Sequence, residues 1–201
     1  MKTFGKVIKY TALSISFFIF AYFMFRLCSS GAPKAVTGIV WSPDAREAYL
    51  ASPETFEALE QPQQIIITND GRFWIQNVIY IPAAKQLQLT IKYNDSTVKY
   101  LKEALGTEDI AEGPFVYTLL DDAGNRYESH TEEAVRKLNY NYRLLAFDNI
   151  DLTDIRSMYV DIYYAGAVNY EEAPYSTLMT WNASLPTEKR DIPKELPDDL
   201  K

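Results

Sequence analysis

The sequence predicts an all-β domain with a few short helices, folded as an antiparallel β-sandwich of about seven or eight strands and preceded by an N-terminal transmembrane helix. Three observations lead to this prediction. An uncharged apolar run extends from Tyr10 to Phe25. Later in the chain, short apolar or alternating stretches are separated by turn residues, as in sandwich domains. Tyrosine, which favours strands over helices, occurs 15 times in 201 residues.

The apolar run is long enough for a membrane span if its flanking charges reach the membrane interface. A helix from Val7 to Leu27 would measure about 31 Å, provided that Lys9 and Arg26 extend toward the headgroups. Basic residues precede the run, and the acidic part of the chain follows it. The positive-inside rule therefore predicts a single-pass protein of the cell membrane, with a cytoplasmic N-terminus and an extracytoplasmic C-terminal domain.

Two other interpretations of this segment stay open. A cleaved signal peptide has the same basic start, and Ser29 and Gly31 provide small residues for cleavage, although the run is longer than in most signal peptides. Lipidation at Cys28 is the second alternative, although Arg26 and Leu27 stand where lipoproteins carry small uncharged residues. All three interpretations export the domain.

Composition divides the chain into three parts. Residues 1–30 form the cytoplasmic start and the transmembrane anchor or signal segment, and 31–184 form the extracytoplasmic β-sandwich domain. Residues 185–201 combine prolines with many charges and are predicted to be a disordered tail.

The charge of the chain argues against nucleic acid as a partner, and its cysteine content excludes a disulfide within the domain. The net charge is −7, and the first 30 residues contain basic residues but no acid, so the rest of the chain is more acidic still. Such a domain repels phosphate backbones, and nucleic acid is not an expected partner. The one cysteine, Cys28, precedes the domain, which therefore has no intrachain disulfide.

The first half of the domain is predicted to begin with a strand at Ala35–Trp41. Two short helices should start at Ser42-Pro43-Asp44 and Ser52-Pro53-Glu54, because Ser caps a helix and Pro suits its first position. Asn69-Asp70-Gly71 supplies a tight turn, which predicts a hairpin of the strands Gln64–Thr68 and Phe73–Ile81.

The middle of the domain is predicted to contain a half-buried strand and a helix. Leu87–Tyr93 alternates between apolar and polar residues, which predicts a strand with one buried side. Ser96–Leu105 is a predicted helix, capped by Ser96 and ended by Gly106. A polar connection or a single helical turn is predicted at Thr131–Leu138. The remaining predicted strands are Phe115–Leu120, Asn125–Ser129, Asn141–Phe147, Ser157–Tyr164 and Ser176–Trp181.

Three stretches within 64–165 carry a family resemblance: ITNDGRFWIQNVIYIPAAKQLQLTIKYN, YTLLDDAGNRY and RLLAFDNIDLTDIRSMYVDIYY. Their motifs are a turn of the form D-x-x-G-x-x-Y and a strand that ends in Tyr-Asn. The chain resembles membrane-anchored immunoglobulin-like domains of Gram-positive bacteria, exported sandwich domains mostly without known function. The resemblance implies an immunoglobulin-like sandwich and an exported location, and it transfers no catalytic residue.

The domain lacks the residues of most catalytic sites. His130 is the only histidine, so a site with two or three histidine ligands is excluded. Ser129 is its neighbour, but adjacent residues of a strand point to opposite faces. The domain contains neither a cysteine nucleophile nor a Gly-rich phosphate loop. The sequence therefore predicts a protein that is not an enzyme and uses no cofactor.

Two groups of residues are candidate binding positions. Asp148, Asp151 and Asp154 share one connection and could bind Ca²⁺ through their oxygens, although Asp is also common in turns because it bonds its own backbone. Aromatic side chains could form a surface for a sugar or a peptide, although such residues more often pair within a core. The aromatic candidates are Trp74, Tyr140, Tyr142, Tyr163 and Tyr164.

These observations predict a non-enzymatic module that is tethered to the membrane by its N-terminal helix and binds a partner or supports assembly at the cell envelope. The expected partner is an envelope protein or polysaccharide. A hydrolase of envelope polymers that uses a carboxylate pair is one alternative. A calcium-dependent adhesion or sensing module is the other.

Overall fold

A computed structural model of the chain describes residues 2–29, 31–61, 66–67, 71–106, 113–153, 155, 157–165, 176–182 and 188–192. The chain forms two compact units, Met1–Pro33 and Lys34–Lys201.

The first unit is the helix α1, Lys2–Ser29. Its segment Lys6–Arg26 has 21 residues and a mean hydropathy of 1.6, so it is long and apolar enough to cross a membrane. This agrees with the predicted N-terminal helix. A signal sequence near the N-terminus can meet the same criteria of length and hydropathy, so both interpretations fit the helix.

The second unit is mostly β, as predicted, with two short α-helices. The helices are α2 (Pro43–Ala51) and α3 (Asp95–Leu105). The strands are β1 (Leu59–Glu60), β2 (Ile66–Ile67), β3 (Phe73–Ile81), β4 (Gln86–Asn94), β5 (Phe115–Asp121), β6 (Arg126–Glu128), β7 (His130–Lys137), β8 (Tyr140–Phe147), β9 (Ser157–Tyr164), β10 (Ser176–Asn182) and β11 (Glu188–Lys189). The described residues thus contain more strands than the seven or eight predicted, because several are only two or three residues long.

The strands form two antiparallel sheets that share one core. The first sheet has the order β11-β1-β3-β4-β8-β7, with β2 also paired to β3, and the second has the order β10-β9-β5-β6. Leu89 and Leu145 of the first sheet belong to the same buried cluster as Leu119 and Ile162 of the second. The apolar inner faces of the two sheets therefore hold the domain together.

The prediction that β4 is buried on one side only is wrong. Its inner side carries Leu87, Leu89, Ile91 and Tyr93, all in the core. On the outer side, Gln86, Gln88 and Thr90 are also buried, with exposures of 0%, 1% and 0%. The outer side is buried because the segment before α2 lies across it.

The covering segment is not the strand predicted at Ala35–Trp41. A 3₁₀ turn occupies Lys34–Val36. Beyond it the backbone is bonded by side chains of β4: the Gln88 amide accepts a hydrogen bond from the Val40 N–H at 3.0 Å and donates one to the Val40 carbonyl at 3.0 Å. Thr90 donates its hydroxyl to the Val36 carbonyl. The side chains replace the backbone ladder that a strand would have formed.

Helix α2 extends this cover over β3. The rings of Trp41, Tyr49 and Phe56 contact one another at centroid distances of 5.3–5.5 Å. They belong to a second apolar cluster that includes Ile79 and Ile81 of β3. The first sheet is therefore covered on both faces at this end.

The helix boundaries correct two predictions. Ser42 caps α2 as expected, since its hydroxyl accepts a bond from the Ala45 N–H. Ser52 does not start a second helix: its N–H bonds to Ala48 and ends α2. Helix α3 is capped by Asn94 rather than Ser96 and ends at Gly106, as predicted.

Three strands, β1, β7 and β11, lie where none was predicted, and β1 falls in the stretch where short helices were expected. The segment Thr131–Leu138 does not form a helical turn, because β7 runs through it and pairs with β8. Near the C-terminus, β11 pairs with β1 inside the segment expected to be a disordered tail, so that expectation is wrong for Glu188–Lys189. Residues 193–201 lie outside the described part of the chain.

The D-x-x-G-x-x-Y motif has a structural role in the β5–β6 hairpin. The buried Asp121 carboxylate accepts hydrogen bonds from the backbone of Ala123, from the backbone and side chain of Asn125, and from the hydroxyl of Tyr127, at 2.8–3.1 Å. Burial pushes the pKa of Asp121 up, but these hydrogen bonds outweigh it and hold the pKa below its usual value.

Asp121→Asn is expected to lower the free energy of unfolding by about 1–2 kcal/mol at neutral pH, because one acceptor oxygen is lost. The pKa of Asp121 is lower in the folded state than in the unfolded state, where it is about 4. The carboxylate therefore stabilises the fold at pH values above that unfolded-state pKa. This stabilisation is lost as the pH falls through the folded-state pKa. Urea unfolding of the full chain in detergent should show the difference from wild type shrinking between neutral pH and about pH 3.

Glu133→Gln is the matched control, since Glu133 is exposed on β7. It changes the same charge and should leave stability nearly unchanged at both pH values. A loss for Asp121→Asn that is equally large in acid would contradict the role of the ionised carboxylate.

Candidate functional site

Three of the predicted aromatic residues come together around a lysine on the outer face of the first sheet. Trp74, Lys92 and Tyr142 are direct partners across β3, β4 and β8, and Tyr140 lies two residues from Tyr142. The Lys92 Nζ lies 3.9 Å from the ring centroid of Tyr140, 5.7 Å from that of Trp74 and 5.8 Å from that of Tyr142. These four residues are called the Lys92 cluster.

The Lys92 cluster has the geometry of an aromatic cage that is filled by the chain's own cation. Burial lowers the pKa of Lys92. The faces of three rings offset part of the cost of this burial, since a ring face attracts a cation. Trp74 and Tyr140 also contact each other edge to face, with centroids 6.4 Å apart. The cluster therefore fixes the ring positions and is not open to a cationic ligand while Lys92 fills it.

The two other aromatic candidates lie on the second sheet, apart from the Lys92 cluster. Tyr163 is buried on β9, and its hydroxyl donates to Asp161 at 3.3 Å. Its ring lies 5.6 Å from the guanidinium carbon of Arg126. Tyr164 packs against the core instead. The structure thus splits the five predicted residues between two sheets.

The aspartates proposed for Ca²⁺ have separate partners. Asp148 accepts a hydrogen bond from the Gln86 amide at 2.9 Å. Asp151 is bonded by Thr153 and by Lys85, whose Nζ lies 3.0 Å away; these bonds lower the pKa of Asp151 to about 2. Asp154 lies outside the described residues. No cluster of three or more His, Cys, Asp or Glu suited to a metal occurs in the part of the chain that the structure describes.

The residue His130 begins β7, and its side chain lies outside the described part of the structure. The expectation that Ser129 and His130 cannot act as a catalytic pair therefore stays a prediction.

A pocket of about 700 Å³ adjoins the Lys92 cluster, and Tyr142 belongs to both. Helix α3 forms one wall, β7 and β8 form another, and the end of β4 lies between them. This volume is in the range of small-molecule sites in proteins. The lining residues are Tyr93, Asp95, Val98, Lys99, Lys102, Gly113, Pro114, Ala134, Val135, Arg136, Asn141, Tyr142 and Arg143.

One carboxylate among the described residues lies in the pocket, and side chains of the chain itself bond both of its oxygens. Asp95 accepts hydrogen bonds from the Arg136 guanidinium at 2.6 Å and from the Asn141 amide at 2.8 Å. The Asp95 N–H also bonds to the Asn139 carbonyl, which fixes the start of α3 to the β7–β8 turn. Asp95 therefore positions the wall of the pocket.

Sequence reasoning missed Arg143, one of the basic residues of this pocket, although β8 contains a signal for it. Asn141, Arg143, Leu145 and Phe147 alternate along the strand and so share one face. Leu145 and Phe147 belong to the core. A charged residue in an inward-facing set is unusual, because burying an unpaired charge is costly. Arg143 was therefore identifiable as a residue with a special environment.

Lys92→Gln is expected to lower the free energy of unfolding by about 1 kcal/mol, because the loss of the cation and of the lysine stem packed against the rings outweighs the gain from removing a partly buried charge. Lys99→Gln is the matched control: Lys99 is exposed on α3 and makes only a surface pair with Glu103 at 3.8 Å. Its loss should cost less than about 0.5 kcal/mol. Urea unfolding of both variants measures the difference, and equal costs would contradict a specific contribution from the ring faces.

Comparisons with known proteins add no assignment for this chain. No protein-family model matches it, and no significant match is found among curated proteins or solved structures. The immunoglobulin-like resemblance therefore stays a prediction. Any functional argument depends on the residues of the chain itself.

Proposed function

We propose that the chain is a membrane-tethered, non-enzymatic binding module whose β domain lies on the outer side of the membrane and binds a component of the cell envelope. The observation that carries this proposal is the pocket of about 700 Å³ at the end of β4. Its walls come from regular elements, α3, β4, β7 and β8, which hold binding groups in place better than loops do.

The order of the strands supports an immunoglobulin-like topology for the domain. One sheet contains the order β3-β4-β8-β7 and the other the order β6-β5-β9-β10. Named in the immunoglobulin convention, these are A-B-E-D and C′-C-F-G, and the chain crosses between the sheets from B to C, from C′ to D and from E to F. The other strands of the first sheet are then additions at the edge of strand A.

A tyrosine bond at the corner between β8 and β9 adds to this support. The hydroxyl of Tyr80 donates to the Ile150 carbonyl at 3.0 Å. Immunoglobulin domains secure the corresponding E–F corner with a tyrosine of strand F, whereas Tyr80 lies on β3. The domain has no cysteine for a disulfide between its sheets. In this proposal, a different residue performs the same structural task.

Binding is favoured over hydrolysis by the state of the pocket's carboxylate. Hydrolysis of a glycosidic bond needs two acidic groups that face the substrate. Among the described residues, Asp95 is the one carboxylate of the lining, and Arg136 and Asn141 donate hydrogen bonds to its two oxygens. Calcium binding is disfavoured because Asp148 and Asp151 have separate partners.

The orientation in the membrane follows from charge, since basic residues flank the start of α1 and the domain is acidic. In a Cys28→Ser background, a cysteine placed at Asp122, which is exposed in the β5–β6 turn, should react with a membrane-impermeant maleimide in intact cells. A cysteine at Lys2 should react only after permeabilisation. The reverse pattern would contradict the orientation, and loss of the Lys2 site from the mature chain would show that the segment is cleaved.

Site-specific cross-linking tests the binding module. A photoreactive phenylalanine analogue at Ala134, which is exposed and lines the pocket, should give a defined adduct with an envelope component in cells. The same group at Tyr159, exposed on the second sheet, is the matched control and should not give that adduct. Adducts of equal yield at both positions, or none at Ala134, would contradict binding at the pocket. Release of fragments from envelope polymers by the full-length chain would favour the hydrolase instead.

A further inference from the structure

Arg143 is a half-buried cation that has no acidic partner among the described residues. It lies two residues before Leu145 on the side of β8 that faces the core. The carboxylate of the pocket is not available to it, because Asp95 is bonded to Arg136 and Asn141. A cation withdrawn from water without a counter-ion costs free energy, and an anionic ligand would offset that cost.

Gly113 leaves the space that the Arg143 guanidinium occupies in the wall of the pocket. A Cβ atom at Gly113 would collide with the Nη2 and Cζ atoms of Arg143. The φ of Gly113 is 71°, in the left-handed region that favours glycine. The backbone at Gly113 can therefore lie directly against the Arg143 guanidinium. Both residues line the pocket.

Two tyrosines interact with the same guanidinium. Burial raises the pKa of Tyr93, and the charge of Arg143 lowers it in part. Tyr117 is buried, its hydroxyl has no hydrogen-bond partner among the described residues, and it interacts electrostatically with both Tyr93 and Arg143. A guanidinium fork next to a phenol that lines the pocket is a set of donors suited to an oxyanion.

The described lining of the pocket is basic although the chain is acidic. Among the described residues it contains one carboxylate, which is paired with Arg136, and three further cationic side chains, whereas the net charge of the chain is −7. Local positive potential of this kind raises the concentration of anions at a site. The cationic side chains of the lining are Lys99, Lys102, Arg136 and Arg143.

We propose that the pocket binds a small oxyanion-bearing ligand of sugar size, whose carboxylate or phosphate group accepts hydrogen bonds from the Arg143 guanidinium. Both groups match the planar fork of a guanidinium. Tyr93 and Val98 supply apolar surface for the body of the ligand, and Lys99 adds positive charge at the edge. This inference rests on the proposed binding function and names the class of ligand.

Calorimetric titration of the full-length chain in detergent micelles tests the inference. Glucuronate and glucose 6-phosphate are the anionic probes, and glucose is the neutral control of the same ring size. At least one anionic probe should bind and glucose should not, and the probe that binds distinguishes a carboxylate site from a phosphate site. Arg143→Gln should weaken binding about 10-fold to 100-fold, because a charge-assisted hydrogen bond is lost.

Two further variants show whether a loss of binding in Arg143→Gln comes from the missing guanidinium or from any arginine or lysine substitution in the domain. Arg126→Gln removes a partly buried arginine of the second sheet that is paired with Glu128, and it should bind the probe like wild type. Lys99→Gln changes only an exposed side chain and should weaken binding about two- to fivefold, with a larger effect at low salt.

Three results would overturn the inference: no binding of either anionic probe to the folded wild type at millimolar concentration, equal binding of glucose, or unchanged affinity in folded Arg143→Gln. If the Ala134 position still cross-links an envelope component in cells, the module binds a partner and only the ligand class is wrong. If the anionic probe binds but no adduct forms at Ala134, the pocket is a ligand site and the envelope partner is wrong.

Discussion

The pair of hydrogen bonds between the Gln88 amide and the backbone of Val40 is the constraint on which the arrangement of this domain depends. Gln88 lies in the part of the first sheet that is covered on both faces, where an unpaired amide would be costly. The same two bonds satisfy the N–H and the carbonyl of Val40. They allow an irregular segment to cover a sheet, a task for which most domains use a helix or a second sheet.

This cover ends before the last residues of β4, and the candidate site lies where it ends. Three successive residues there have three different tasks. Lys92 enters the aromatic cage on the outer face, Tyr93 lines the pocket on the inner face, and Asn94 caps α3. Because adjacent residues of a strand point to opposite faces, one strand end can serve both surfaces. The bond from the Asp95 N–H to Asn139 then sets the wall of the pocket.

Elements set by local sequence could be predicted, and those set by distant contacts could not. The bounds of Phe73–Ile81 and Ser157–Tyr164 were predicted correctly, since both are apolar runs between turn or loop residues. The burial of Gln88 was not predictable, because its partner lies 48 residues away and offers only backbone groups. Trp74 and Tyr142 were named as candidates without the strand register that joins them, and register depends on the whole sheet.

Hydrogen exchange at the Val40 amide tests this account most directly. The Val40 N–H of the wild type is expected to exchange slowly, at a rate close to those of the β4 amides, although Val40 lies outside any strand. In Gln88→Ala the Val40 amide should exchange much faster, while that of Leu89 stays protected by its backbone partners. Rapid exchange at Val40 in the wild type would show that the segment does not cover the sheet and would contradict the account.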